Sequence, residues 1–157
     1  MCPSRASGRR LSGPFLPDLL ARATHALTQG FARELRKRGT SLPVWRVMAA
    51  LSATPGETVT GLADACLLQQ PTMTKLLDRL ERDGVVERHR DERDRRAVRV
   101  NLTPKGAAKA AELTAAAERY EARVLARHPR AEGIKAVLRD IIARSSPTRP
   151  ARGGPDA

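Results

Sequence analysis

Between Gly84 and Gly106 the sequence changes its period, and that change limits the folds open to it. Upstream, Met73, Leu76, Leu77 and Leu80 recur at the spacing of one helix face, and Gly84 closes the run. Downstream, Val98, Val100 and Leu102 alternate with Ala97, Arg99 and Asn101, and VVERHR supplies an opposing run, so the segment predicts a hairpin. Two short strands are marginal in water by themselves and need helices to cover one face. The far end of this hairpin is crowded with charge: six arginines and three acids lie from Arg88 to Arg99.

Helical patterns fill the rest. Leu20, Ala23, Leu27, Phe31 and Leu35 predict a first helix over residues 15–38, ended by the cations and glycine of RKRG. Val44, Val47, Met48 and Leu51 share a face of a second, with Pro43 in its first turn and Pro55-Gly56 beyond its end. Thr60 is predicted to cap a short third helix, and QQPTMTKLLDRLERDG forms a fourth. After the hairpin, Thr103 and Pro104 open a long Ala-rich helix reaching His128, and a last helix carries Ile134, Val137, Leu138 and Ile141 on one stripe. The predicted class is mainly α with a small β-hairpin wing: a winged helix-turn-helix with additional helices at both ends.

In such an arrangement the second of two short helices enters the major groove of duplex DNA and the hairpin reaches along the backbone. A net charge of +12 on 157 residues fits a polyanionic partner. Five of those twelve charges belong to residues 1–14 and 144–157, Pro-, Gly-, Ser- and Arg-rich ends predicted to be disordered tails around a single domain at 15–143. With the inner stripe of the fourth helix turned to the core, Lys75 lies opposite it, Thr72, Thr74 and Arg79 flank it, and Gln70 stands on its leading turn; these are the candidate contacts to bases and phosphates. In the hairpin, Asp91 and Asp94 are placed to pair with some of the arginines and hold the loop in shape. Arg93, Arg95 and Arg96 then remain for DNA, one of them suited to a narrow minor groove. Single-strand RNA modules favour exposed aromatics, and at 3% aromatic this chain points to duplex DNA.

Other classes are excluded by what the sequence lacks. His25, His89 and His128 are scattered, with no adjacent nucleophile, no Gly-rich phosphate loop and no metal spacing, so neither catalysis nor a metal or cofactor is expected. No run approaches the roughly 18 apolar residues that span a bilayer, and a cytoplasmic location without a membrane partner is expected.

The stretch from Glu57 to Gly106 resembles the DNA-binding core of MarR-type transcription regulators. Their wing signature runs Asp-x-Arg-Asp-x-Arg and then Leu-Thr-x-Lys-Gly; Asp91, Arg93, Asp94 and Arg96 fill the first pattern, and Leu102, Thr103, Lys105 and Gly106 the second. The order of helices also agrees, so the resemblance covers residues 15–143. It implies a homodimer in which helices over 15–40 and 104–143 pack against a second copy, leaving the winged helix of 42–102 to read half of a palindrome. Without that second copy the outer stripes would leave a large apolar patch wet. It further implies a ligand-responsive repressor whose pocket takes a small aromatic anion, with His25, Trp45, Arg46 and Tyr120 as candidate lining; Trp45, the chain's only tryptophan, also suits a core anchor.

Two positions depart from the family pattern. Leu67 stands where the helix-turn-helix usually has Gly, and Gln69 where the reading helix usually has a Ser cap. Leu is costly in a left-handed turn and Gln caps poorly, which predicts a reshaped turn. Two alternative readings follow from the same residues: a non-specific DNA-coating or RNA-binding winged-helix protein, and a regulator that senses oxidants through Cys2 or Cys66.

Overall fold

The computed structural model describes residues 15–91, 97–128 and 130–145. The proposed tails and the candidates Arg93, Asp94, Arg95 and Arg96 lie outside the described residues, apart from Arg144 and Ser145, which extend the last helix past the boundary expected at 143. The chain divides into two units at Ala117 and Glu118.

The first unit holds α1 (Leu16–Arg36), α2 (Leu42–Ala53), β1 (Glu57–Thr58), α3 (Val59–Cys66), α4 (Gln70–Arg82), β2 (Val86–Arg90), β3 (Val98–Leu102) and the start of α5 (Pro104–Ala126). The strands form an antiparallel sheet in the order β1-β3-β2, with Val86 opposite Leu102 and Arg90 opposite Val98. The predicted hairpin thus gains a third strand. At two residues, Glu57 and Thr58, β1 is too short to show a period, and it is defined only by pairing with Val100 and Arg99.

The core is built by α2, α3, α4 and the inner face of the sheet, where Val47, Leu51, Leu62, Met73, Leu77, Leu80, Val86 and Val100 are all buried. Each contributes about 1.5–3 kcal/mol relative to exposure. Phe31 of α1 meets Trp45 of α2 edge-to-face, with centroids 4.9 Å apart.

The turns rest on one device used three times. Beyond the ends of α1, α3 and α4 a left-handed residue closes the last turn: Gly39 (φ 65°), three residues past α1, Leu67 (φ 56°, ψ 45°), directly after α3, and Gly84 (φ 67°), two residues past α4. In each the following N–H bonds five residues back: Thr40 to Leu35 at 3.0 Å, Leu68 to Ala63 at 2.9 Å and Val85 to Leu80 at 2.9 Å. These are Schellman closures, which satisfy carbonyls the helix leaves open. Leu67 therefore takes up the conformation glycine would supply, and the reshaped turn expected there does not occur.

The cap of α3 also differs from expectation. Thr58, not Thr60, is the N-cap: its backbone is extended and its Oγ1 accepts from the Gly61 N–H at 3.0 Å. Helix α3 starts directly at the end of β1, which puts Thr60 inside its first turn. Gln69 is the N-cap of α4 and its side chain makes no capping bond, as its chemistry suggests.

The Leu-Thr-x-Lys-Gly segment fastens α5 to the end of α4. Thr103 Oγ1 donates to the Gly84 carbonyl at 2.7 Å and accepts from the Gly106 N–H at 3.1 Å, while Lys105 Nζ donates to the Asp83 carbonyl at 2.7 Å. Gly106 is required for the approach, since a Cβ there would overlap the Val85 carbonyl.

The second unit comprises the end of α5 and α6 (Glu132–Ser145), with Lys135 Nζ paired to Glu121 at 2.7 Å. Ile134 and Val137 of α6 remain more than half exposed, at 54% and 58%.

Candidate nucleic-acid interface

Helix α4 presents two unlike surfaces because its apolar residues recur at helical spacing. Met73, Leu77 and Leu80 go into the core, which leaves Gln70, Thr72, Thr74 and Lys75 exposed on the outer side. Gln70 Nε2 donates to Thr60 Oγ1 at 2.8 Å and ties the first turn of α4 to α3. Lys75 makes no ion pair with any described residue. Arg79 sits differently: its Nε lies 3.8 Å from Asp83 Oδ2 toward the helix's end, and it lines a cavity behind α4.

The base of the wing is held by the two arginines at its ends. Alternation along β2 places Arg88 on the same side as buried Val86, toward α4, where its Nη2 reaches Asp78 Oδ1 at 2.7 Å and its Nε lies 3.7 Å from Glu81. Arg99, on the outer side of β3, bonds Asp91 Oδ2 at 2.6 Å through Nε and the Gly56 carbonyl at 3.1 Å through Nη1. Asp91 also donates its N–H to the Ala97 carbonyl at 3.0 Å. The side chain of Asp91 is only 13% exposed. The roles of Arg88, Arg99 and Asp78 were not apparent from the sequence. The usable signal was that Thr74, Asp78 and Glu81 share one helix face and that Arg88 alternates in phase with apolar Val86.

The four candidate pocket residues belong to three helices, α1, α2 and α5. His25 is exposed on α1; Trp45 packs on Phe31; Arg46 Nη1 donates to the Cys66 carbonyl at 3.3 Å; Tyr120 belongs to the second unit, with Arg123 5.8 Å above its ring. A cavity of about 790 Å³ lies elsewhere in the first unit, between the ends of α1 and α4 and the starts of α2 and α5. Val44, Met48, Leu80 and Val85 form its apolar wall, and Arg36, Arg79, Lys105 and Lys109 outnumber Asp83 and Glu112 around it. The Lys109 ammonium, bonded to Glu112 at 2.8 Å, holds that carboxyl below its ordinary range, with Arg38 adding to the effect. Cys66 is 1% exposed, and burial pushes its thiol up against a smaller opposing pull from Arg46. A protonated, covered thiol is a poor nucleophile.

No helix among the described residues is long and apolar enough to cross a membrane.

Comparison with known proteins gives this geometry a context. The sequence model of the MarR family matches residues 38–97. A MarR family transcriptional regulator of Silicibacter pomeroyi DSS-3 is 34% identical, with 85% of this chain and 96% of that chain covered at a TM-score of 0.77. A Mycobacterium tuberculosis MarR family protein solved with p-aminosalicylic acid is 29% identical over 81% of this chain and 98% of its own, at a TM-score of 0.69. The homoprotocatechuate degradative operon repressor of Escherichia coli is 29% identical over 89 residues, which span 57% of this chain and 60% of the repressor. The chain belongs to the MarR family of transcriptional regulators.

Proposed function

We propose that this chain is a homodimeric, ligand-responsive repressor that reads a palindromic operator in duplex DNA. The observation that carries the reading is the exposed face of α4, with Gln70, Thr72, Thr74 and Lys75 on its first turns, beside a wing whose base is fixed by Arg88 and Arg99. Hydroxyls, an amide and a cation in one major-groove helix suit base edges and phosphates together. In this reading residues 42–102 form the DNA-reading unit and Arg93, Arg95 and Arg96 carry the wing's contact, one of them in the minor groove. Helices over 15–40 and 104–143 pair with the second copy. Exposed apolar side chains support this pairing: Phe15, Leu16 and Leu19 on the first, Ile134 and Val137 on the last.

For the effector we favour the cavity behind α4, whose lining residues lie together in the first unit, as an alternative to the set of His25, Trp45, Arg46 and Tyr120. Its volume suits a small molecule, and an apolar wall under an excess of cations suits an aromatic carboxylate. The relative solved with p-aminosalicylic acid makes that class a reasonable probe. A ligand seated against Leu80 and Val85 would press on the rear of the reading helix.

The test is footprinting of the purified chain on DNA flanking its own gene, with and without p-aminosalicylate. Two protected half-sites one or more helical turns apart, lost on adding the acid, support the reading. Protection spread evenly along the duplex would favour a DNA-coating protein instead, and a footprint unmoved by any aromatic acid would remove the ligand response.

A further inference from the structure

We infer that Arg88 is a positioning residue: clamped by Asp78 and Glu81, it sets the angle between the reading helix and the wing and touches no DNA itself. The inference rests on the proposed DNA-reading role of α4. Arg88 is the first arginine of the charged stretch, and a tally of cations would count it among those available to phosphates. Its geometry points inward. Only 21% of the side chain is exposed, its Nη2 bonds Asp78 Oδ1 at 2.7 Å and reaches the Thr74 carbonyl at 3.4 Å, and its Nε is buried without a hydrogen bond among the described residues, in an ion pair 3.7 Å from Glu81 Oε2.

Residues 74, 78 and 81 are successive positions along one face of α4, so a single guanidinium from β2 spans two turns of the reading helix. A planar fork with several fixed donors can hold such a span in one orientation, where a lysine ammonium would make a point contact. The strand carrying Arg88 continues into the wing, and Val100 lies opposite it in the sheet. A change in the angle of α4 relative to β2 is therefore a change in the spacing of the two DNA-contacting elements.

The clamp also accounts for two acids on a helix otherwise suited to a polyanion. Asp78 and Glu81 would repel phosphates if they were idle. Their use is to fix a cation of the wing's first strand, at some cost in raw attraction to DNA.

This gives a test in which the sign decides. Asp78→Asn removes a negative charge from the reading helix, so simple electrostatics predicts tighter binding to every duplex. The clamp predicts about fivefold or greater weakening on the operator, with binding to a scrambled duplex unchanged or tighter. Arg88→Met should weaken operator binding to a similar degree while leaving its salt dependence unchanged, because no phosphate contact is lost. The double variant should be little worse than either single one. Titrations of both duplexes across a salt series read all three, and melting temperatures confirm that each variant folds.

Tighter operator binding by Asp78→Asn, or a drop of about one phosphate-equivalent in the salt slope of Arg88→Met, would overturn the inference. Equal losses on both duplexes would also overturn it, since that pattern marks a merely structural pair. A wild-type chain with no operator preference would instead refute the DNA-reading role itself.

Discussion

At Leu67 an isobutyl side chain, 82% exposed, sits on a backbone with φ 56° and ψ 45°. A left-handed conformation costs a residue with a Cβ about 1–2 kcal/mol, and here the cost is not recovered by burial. The local cost is tolerated because the closure of α3 hands the chain directly to α4. Removing it should show: Leu67→Gly should raise stability by about 0.5–1 kcal/mol in denaturant unfolding, the gain limited by glycine's greater freedom when unfolded. A loss of stability would mean the turn draws on a contact of the leucine. Cys66 gives a second prediction at this scale. Its folded thiol keeps its proton to higher pH than the unfolded one, so the contribution to stability is whole below the unfolded value of about 8.5 and is lost as pH rises through the folded value. In a Cys2→Ser background, the native chain at neutral pH should not react with a thiol reagent, and urea should release the Cys66 thiol; rapid native labelling would restore the redox-sensing alternative.

Among the elements, those with long periodic patterns were legible from the sequence. The stripes on α1, α2 and α4, the alternation of β3 and the Thr103-Pro104 start of α5 each place an element within a few residues of its observed bounds. Features that depend on contacts remote in sequence were not legible. Strand β1 exists only through pairing with β3, and Thr58 rather than Thr60 caps α3 because that strand ends where the helix begins. The candidate site divides in the same way: the outer face of α4 followed from its inner stripe, whereas the cavity joins residues from Arg36 to Glu112 that no local pattern connects. Gln69, read as a poor cap, makes no capping bond, so Gln69→Ser should stabilise the chain by about 0.5–1 kcal/mol. An unchanged melting temperature would show that the first turn of α4 is satisfied by other means, such as the bond from Gln70 to Thr60.

For the whole molecule the account depends on two copies acting together. Leu138 lies on the α6 stripe between the exposed Val137 and the half-buried Ile141, and a carboxylate there would have to be desolvated in the proposed interface. Leu138→Asp should yield monomers by light scattering and lose most operator affinity while the winged-helix unit stays folded; an unchanged dimer would move the interface elsewhere. The central claim is that the chain reads a defined duplex, and the most direct measurement is the affinity for the footprinted operator against a scrambled duplex at matched salt, for the wild type and Arg95→Ala. The account predicts an operator preference of about 10³ or more for the wild type. It also predicts a loss of operator affinity and about one phosphate-equivalent of salt dependence for the variant. Equal affinity of the wild type for both duplexes would contradict it.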